Sequence, residues 1–175
     1  TAQTAGGVIT TQDEINYTYD TFGRLLSQAA VKTNADGTKT YETTLTEYDS
    51  YGRISSQTID RSQQGMPSSH IVMEYSYDAF GRISEARTTT TTESQQGAVT
   101  AIDKISYTYD QFGRILSQAA NKTNADGTET TDTTNYNYDS YGRILNSNTV
   151  HTNADGSKYT INSAYEYDQY GRVSK

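Results

Sequence analysis

Tyr17-Thr18-Tyr19-Asp20-Thr21-Phe22-Gly23-Arg24-Leu25 decides the fold, because the chain contains this stretch in six versions. The pair Tyr-Asp closes at Asp20, Asp49, Asp78, Asp110, Asp139 and Asp168, at spacings of 29, 29, 32, 29 and 29 residues. Each copy reads Tyr-x-Tyr-Asp-x-(Phe or Tyr)-Gly-Arg-(Ile, Leu or Val), with Thr46 in place of the first tyrosine in the second copy. Tyrosines that alternate with polar residues put both rings on one face of a strand. Aspartate then opens a turn whose fourth residue is glycine, the pattern of a type I turn followed by a left-handed glycine. From Arg24 the next arm runs out through Leu25, Ser27 and Ala29 to a second turn, Asn34-Ala35-Asp36-Gly37, which recurs at 124–127 and 153–156. The other far turns read Ser62-Gln63-Gln64-Gly65 and Ser94-Gln95-Gln96-Gly97.

A longer period lies above the short one, since residues 17–44 and 107–134 are nearly the same segment displaced by 90. The chain therefore reads as one continuous array, 1–175, of six repeats in two super-repeats, 1–90 and 91–175, with ends that look like cuts in a longer array. The third repeat carries three extra residues within Arg87 to Glu93, around the run Thr88 to Thr92. An odd insertion reverses the faces of a strand unless something absorbs it, so a bulge or protruding loop is expected there. The predicted fold class is all-β: tandem hairpins forming a long antiparallel meander of about twelve strands. An open sheet beyond about ten strands tends to curl, so a spiral, tube or solenoid-like sheet is expected.

Composition narrows the rest. Only 33% of residues are hydrophobic, and the aromatics are 16 tyrosines, 3 phenylalanines and no tryptophan, too little for an ordinary dry core. Tyrosine, with a large ring and a hydroxyl that needs a partner, suits a ladder of half-buried rings, and tyrosine on tyrosine is the expected core. A net charge of -7 and a pI near 4.7 exclude nucleic acid, which requires a cationic face. No apolar run approaches about 20 residues, which excludes insertion as a membrane-spanning helix. Cysteine is absent, ruling out disulfides and thiolate metal sites.

The residues singled out are those of the recurring motif. They are Tyr19, Asp20, Gly23 and Arg24 in the first copy, Tyr48, Asp49, Gly52 and Arg53 in the second, and Tyr77, Asp78, Gly81 and Arg82 in the third. Tyr109, Asp110, Gly113 and Arg114 follow, then Tyr138, Asp139, Gly142 and Arg143, and finally Tyr167, Asp168, Gly171 and Arg172. The aspartates and arginines are expected to pair across the turn or between hairpins, with guanidinium over a neighbouring ring. Catalysis is not expected, because an active site needs one special constellation and these are six equivalent ones. His70 and His151 do not recur within the repeat, and His151 occupies the position of Lys32, Arg61 and Lys122, read as an exposed polar strand position. The Asn-Ala-Asp-Gly-Thr turns faintly resemble calcium loops but lack a closing bidentate glutamate, so no metal and no cofactor is assigned.

Repeated six times, this motif resembles the YD repeat of bacterial Rhs proteins, wall-associated proteins and animal teneurins. The resemblance implies a spiralling antiparallel sheet, often a large shell around a toxin, on secreted or bacterial cell-surface proteins. Regular spacing, 90-residue symmetry and no toxin or autoprotease segment favour a fibre or stalk over a toxin-encapsulating shell. The expectation is a structural, extracellular protein assembled through sheet edges and tyrosine stacking, with copies of itself or flanking repeats of the same chain as partners. A surface module binding carbohydrate or protein, or a shell fragment, is the second reading.

Overall fold

A computed structural model describes residues 2–4, 7–9, 12–34, 36–95 and 97–174. All regular structure among them is β-strand. Strands β1 (Ala2–Thr4) and β2 (Gly7–Ile9) form a small antiparallel pair. Eleven further strands follow in chain order: β3 (Gln12–Tyr19), β4 (Leu25–Thr33), β5 (Lys39–Tyr48), β6 (Ile54–Gln63), β7 (Ser68–Tyr77), β8 (Ile83–Ser94), β9 (Gly97–Tyr109), β10 (Ile115–Thr123), β11 (Glu129–Tyr138), β12 (Ile144–Thr152) and β13 (Lys158–Ala164). Their order in the sheet is their order in the chain, which is the expected hairpin meander. The twelfth expected arm is represented by one bridge, Tyr167 to Val173. By contacts the chain divides into two compact units, residues 1–75 with 88–100, and residues 76–87 with 101–175.

Each Asp-opened turn has the predicted geometry. In the first, Gly23 N donates to Asp20 O at 3.1 Å, Asp20 N donates to Arg24 O at 2.9 Å, and Gly23 sits at φ 80°, a left-handed conformation that side chains resist. The turns opened by Asn34, Asn124 and Asn153 repeat this bonding. The expected turn Ser62-Gln63-Gln64-Gly65 is displaced by one residue: Met66 N donates to Gln63 O at 3.1 Å, which puts Gly65 third, at φ 79°. No aspartate or asparagine opens or braces that segment, so the side-chain bonds that hold the longer turns are missing and a tighter turn with its glycine at the third position forms instead.

The insertion in the third repeat makes no protruding loop. Residues 83–94 are continuous strand, and β8 and β9 are 12 and 13 residues long against 9 and 10 for β4 and β5. Each arm gains three residues while the connection shortens from five residues to two. Paired residues of an antiparallel hairpin share a face whatever its length, so the odd insertion inverts nothing. Thr91 and Thr100 meet across this extension, their hydroxyls 3.1 Å apart.

Bulges occur at the root of each outgoing arm with a described register. Tyr19 pairs with Leu25 but Thr18 with Ser27, leaving Leu26 unpaired, and the same shift skips Ser55, Leu116 and Leu145. Leu25 thus shares a face with Tyr19, whereas Ser27 shares one with Thr18, so the simple alternation expected through Leu25, Ser27 and Ala29 is broken at its first step. No described hydrophobic side chain is fully buried. Thr46, 5% exposed, is the described residue that is, and its hydroxyl accepts from Gln57 Nε2 at 3.3 Å.

Candidate functional site

With no hydrophobic side chain buried among the described residues, cohesion there must come from contacts that recur, and the motif supplies them. Asp110 is the working example. Its Oδ1 accepts from the backbone N–H of Phe112 at 2.8 Å and of Arg114 at 2.9 Å, and its Oδ2 takes the Arg114 guanidinium at 2.6 Å. The aspartate therefore braces its turn and aims its arginine. The other five copies do the same, with ion-pair distances of 2.6–2.7 Å.

The aimed guanidinium reaches the next repeat. Arg114 lies 4.4 Å from the Tyr138 ring centre, and Arg24, Arg82 and Arg143 lie 4.4, 4.3 and 4.3 Å from Tyr48, Tyr109 and Tyr167. A guanidinium held flat over a ring is favourable electrostatically and in packing. The neighbouring tyrosine is fixed at its other end, since its hydroxyl donates to a backbone carbonyl of the preceding arm: Tyr48 to Leu25, Tyr109 to Ile83, Tyr138 to Ile115 and Tyr167 to Ile144, at 2.6–3.0 Å. Where the register is described these carbonyls stand beside the bulged residue, where the regular ladder is interrupted. Glycine closes the arrangement: a Cβ on Gly52 would stand 3.1 Å from Arg24 Nη1, and one on Gly142 3.4 Å from Arg114 Nη1. Aspartate, arginine, the next tyrosine and the next glycine thus form one rung, completed only by a neighbour.

Cross-repeat packing is therefore tyrosine under arginine. The expected tyrosine-on-tyrosine contact appears among the described residues within single strands, Tyr17 with Tyr19 and Tyr107 with Tyr109, at 6.5 Å. Among the described residues no guanidinium lies over Tyr19, which is 58% exposed, and Arg172 touches the ring of its own Tyr170 but no later tyrosine.

The turns hold their charge firmly. For Asp20, Asp49, Asp78, Asp110 and Asp139, loss of water contact raises the carboxyl pKa, but two backbone N–H bonds and the paired arginine outweigh it and leave the carboxyl below its usual range. In Asp168 the backbone bond from Arg172 leads in the same direction. Asp36, Asp126 and Asp155 are lowered first by the hydroxyls of Thr38, Thr128 and Ser157, then by the same residues' N–H groups. Burial pushes the Tyr138 phenol up.

The histidines sit apart from these rungs. His70 Nδ1 is 2.6 Å from Asp60 and His151 Nδ1 2.6 Å from Asp132. His151, expected to be exposed, has a side chain only 18% accessible; it also contacts Asn153 at 3.0 Å and stacks on Tyr159 at 4.7 Å. One super-repeat earlier the same cross-strand positions hold Arg61 and Glu42, which form an ion pair.

Sequence reading left two sets of residues unassigned. The turn aromatics, Phe22, Tyr51, Phe80, Phe112, Tyr141 and Tyr170, each lie 4.9–5.2 Å from their own arginine. Their six-fold recurrence two residues after aspartate was the available signal. The bulged residues carried none, because Leu26, Ser55, Leu116 and Leu145 differ in type and a bulge is a matter of pairing.

Fold and rungs together define a tandem-repeat β-protein whose units are joined by arginine–tyrosine contacts. No family model matches the chain, and no curated protein matches it. Among solved structures, a chain of the Photorhabdus luminescens Tc holotoxin pore is similar over 91% of this chain and 12% of its own length, at 15% identity and a TM-score of 0.26.

Proposed function

We propose that this chain is a structural segment of an extracellular or bacterial cell-surface fibre, stalk or shell wall, without catalytic activity. The observation that carries the reading is the rung: Arg24, Arg82, Arg114 and Arg143 each lie over the tyrosine of the next repeat. A protein built this way grows by adding repeats, each contacting mainly its neighbours. Tyr19 and Arg172 are rungs lacking one partner, which flanking repeats of the same chain or copies of it would supply. Electron microscopy of the purified native material tests this. Filaments or sheets with a repeat matching a whole number of 29- or 90-residue units are expected, and discrete particles that never extend would refute it.

One hollow favours a second reading, a surface binding module. Tyr41, Thr43, Asp60, Ser62, His70 and Glu93 line a depression of about 300 Å³, with the Tyr41 ring 47% exposed. An open ring beside several hydroxyl, carboxylate and imidazole groups suits carbohydrate, which stacks on rings and exchanges hydrogen bonds. Titration with soluble oligosaccharides, followed by tyrosine fluorescence, separates the readings: saturable change lost in Tyr41→Ala favours binding, and no change leaves the scaffold.

A further inference from the structure

The rungs leave one feature unused. In the second unit the turn aromatics Phe80, Phe112, Tyr141 and Tyr170 are 83%, 72%, 83% and 73% exposed. Each rests against the arginine of its own turn. These turns close alternate strand gaps along one side, so successive rings stand about 10 Å apart, two strand spacings.

Two notches lie in this row, one on either side of Tyr141. One of about 270 Å³ is lined by Phe112, Arg114, Ser140, Tyr141 and Gly142, and the next, of about 390 Å³, by Tyr141, Arg143, Asp168, Gln169 and Gly171. An engineered apolar cavity of about 150 Å³ holds benzene, so each notch has room for a ring. Glycine contributes no side chain there, and the guanidinium offers a cationic face. The edge also lacks net charge within a chain of -7: aspartate and arginine cancel in every turn, and the remaining tip residues are Ala79, Gln111, Ser140 and Gln169.

A row that alternates ring and notch at one period is complementary to itself displaced by half a period. We propose that this turn edge is a self-association surface, on which a second copy of the chain, related by a two-fold axis, sets its turn rings into these notches and receives these rings in its own. Such an isologous contact closes as a dimer. Aromatic side chains bury about 150–250 Å² each, so the two central rings, about three-quarters exposed, bury about 300 Å² per copy, and the notch walls that receive the partner's rings bury about as much again, about 1,200 Å² in all, the lower end for a specific interface. Strand twist turns the outer rings away, which makes Phe112 and Tyr141 the centre of the contact. The contact is lateral and independent of the strand edges invoked for array growth.

Sedimentation equilibrium of the 175-residue chain over a range of concentrations tests the proposal. A monomer–dimer equilibrium is expected, abolished in Phe112→Ser/Tyr141→Ser and retained in Ile161→Lys, which blunts the outer strand β13. The far-ultraviolet circular dichroism of the double variant should match that of the parent chain, which shows that the sheet is kept when the dimer is lost. A chain that stays monomeric at every concentration overturns the proposal. So does a dimer that survives the double substitution; if that dimer is lost in Ile161→Lys, association belongs to the strand edges and the array reading stands. Monomers whose Phe112 and Tyr141 resonances shift on adding chitohexaose would assign the row to a glycan, likewise overturning it.

Discussion

Arg114 shows how much a single side chain connects. It pairs with Asp110, lies against Phe112 in its own turn, covers Tyr138 in the next repeat and stands beside Gly142. Lysine would keep the charge but lose the planar fork and the stacking on both rings. Arg114→Lys is expected to lower stability by about 1 kcal/mol and Arg114→Ala by about 2 kcal/mol, read from urea unfolding midpoints. The glycines allow a finer comparison. Gly23 and Gly52 have the same positive φ, but a Cβ meets nothing near Gly23 and approaches Arg24 near Gly52. Alanine at either should cost about 1–2 kcal/mol through backbone strain alone. Any excess for Gly52→Ala over Gly23→Ala measures the contact between repeats, and equal losses would show that the guanidinium moves aside freely.

At the scale of the element, the turn is where pH acts. The carboxyls of the turn aspartates titrate below their unfolded value of about 3.9, so the stability they contribute is complete above that value and is lost as pH falls through the lower folded one. Melting temperature should be level from about pH 7 to about pH 5 and fall below about pH 4, with the acid limb shallower in Asp110→Asn. The alkaline side belongs to the bulge, whose carbonyl neighbour receives the tyrosine hydroxyl. Tyr138 resists ionisation because burial raises its pKa. Spectrophotometric titration should show a component ionising above the usual phenol value of about 10, and Tyr138→Phe should remove that component. The hairpin β8–β9 makes a different point: its arms absorbed an insertion by lengthening, so a surface hairpin of this array can vary in reach without disturbing its root.

For the whole molecule, the scarcity of buried apolar surface makes stability a matter of how many rungs are completed. A linear array gains about the same increment with each added unit and loses cooperativity only when an interior unit fails. A chain extended by a third 90-residue super-repeat should therefore melt higher than the 175-residue chain, whereas a chain built on one closed core would show no such gain. An interior rung broken by Arg114→Ala should cost more than the same change at Arg172, whose side chain is 75% exposed and covers no later tyrosine.

Much of this architecture was legible in the residues themselves. The turn opened by Asp20 follows from aspartate's ability to bond the backbone two residues on and from glycine's tolerance of positive φ, both local properties, so the hairpins and their order could be read directly. The pairing of Arg24 was legible as one of two, across the turn or between hairpins, and the structure places it within the turn, on Asp20. What lay beyond the sequence depends on which strand faces which. That Leu26 is skipped in pairing, that Tyr48 donates to the carbonyl of Leu25, and that Arg24 covers the ring of Tyr48 are facts about residues in neighbouring arms. Periodicity cannot state them, because a bulge shifts register without changing composition. The sequence by itself therefore determined the repeat, the turns and the meander. Only tertiary structure decided that a guanidinium, not a second tyrosine, covers each of the tyrosine rings joined to a preceding repeat, because that choice is made by distances across the sheet.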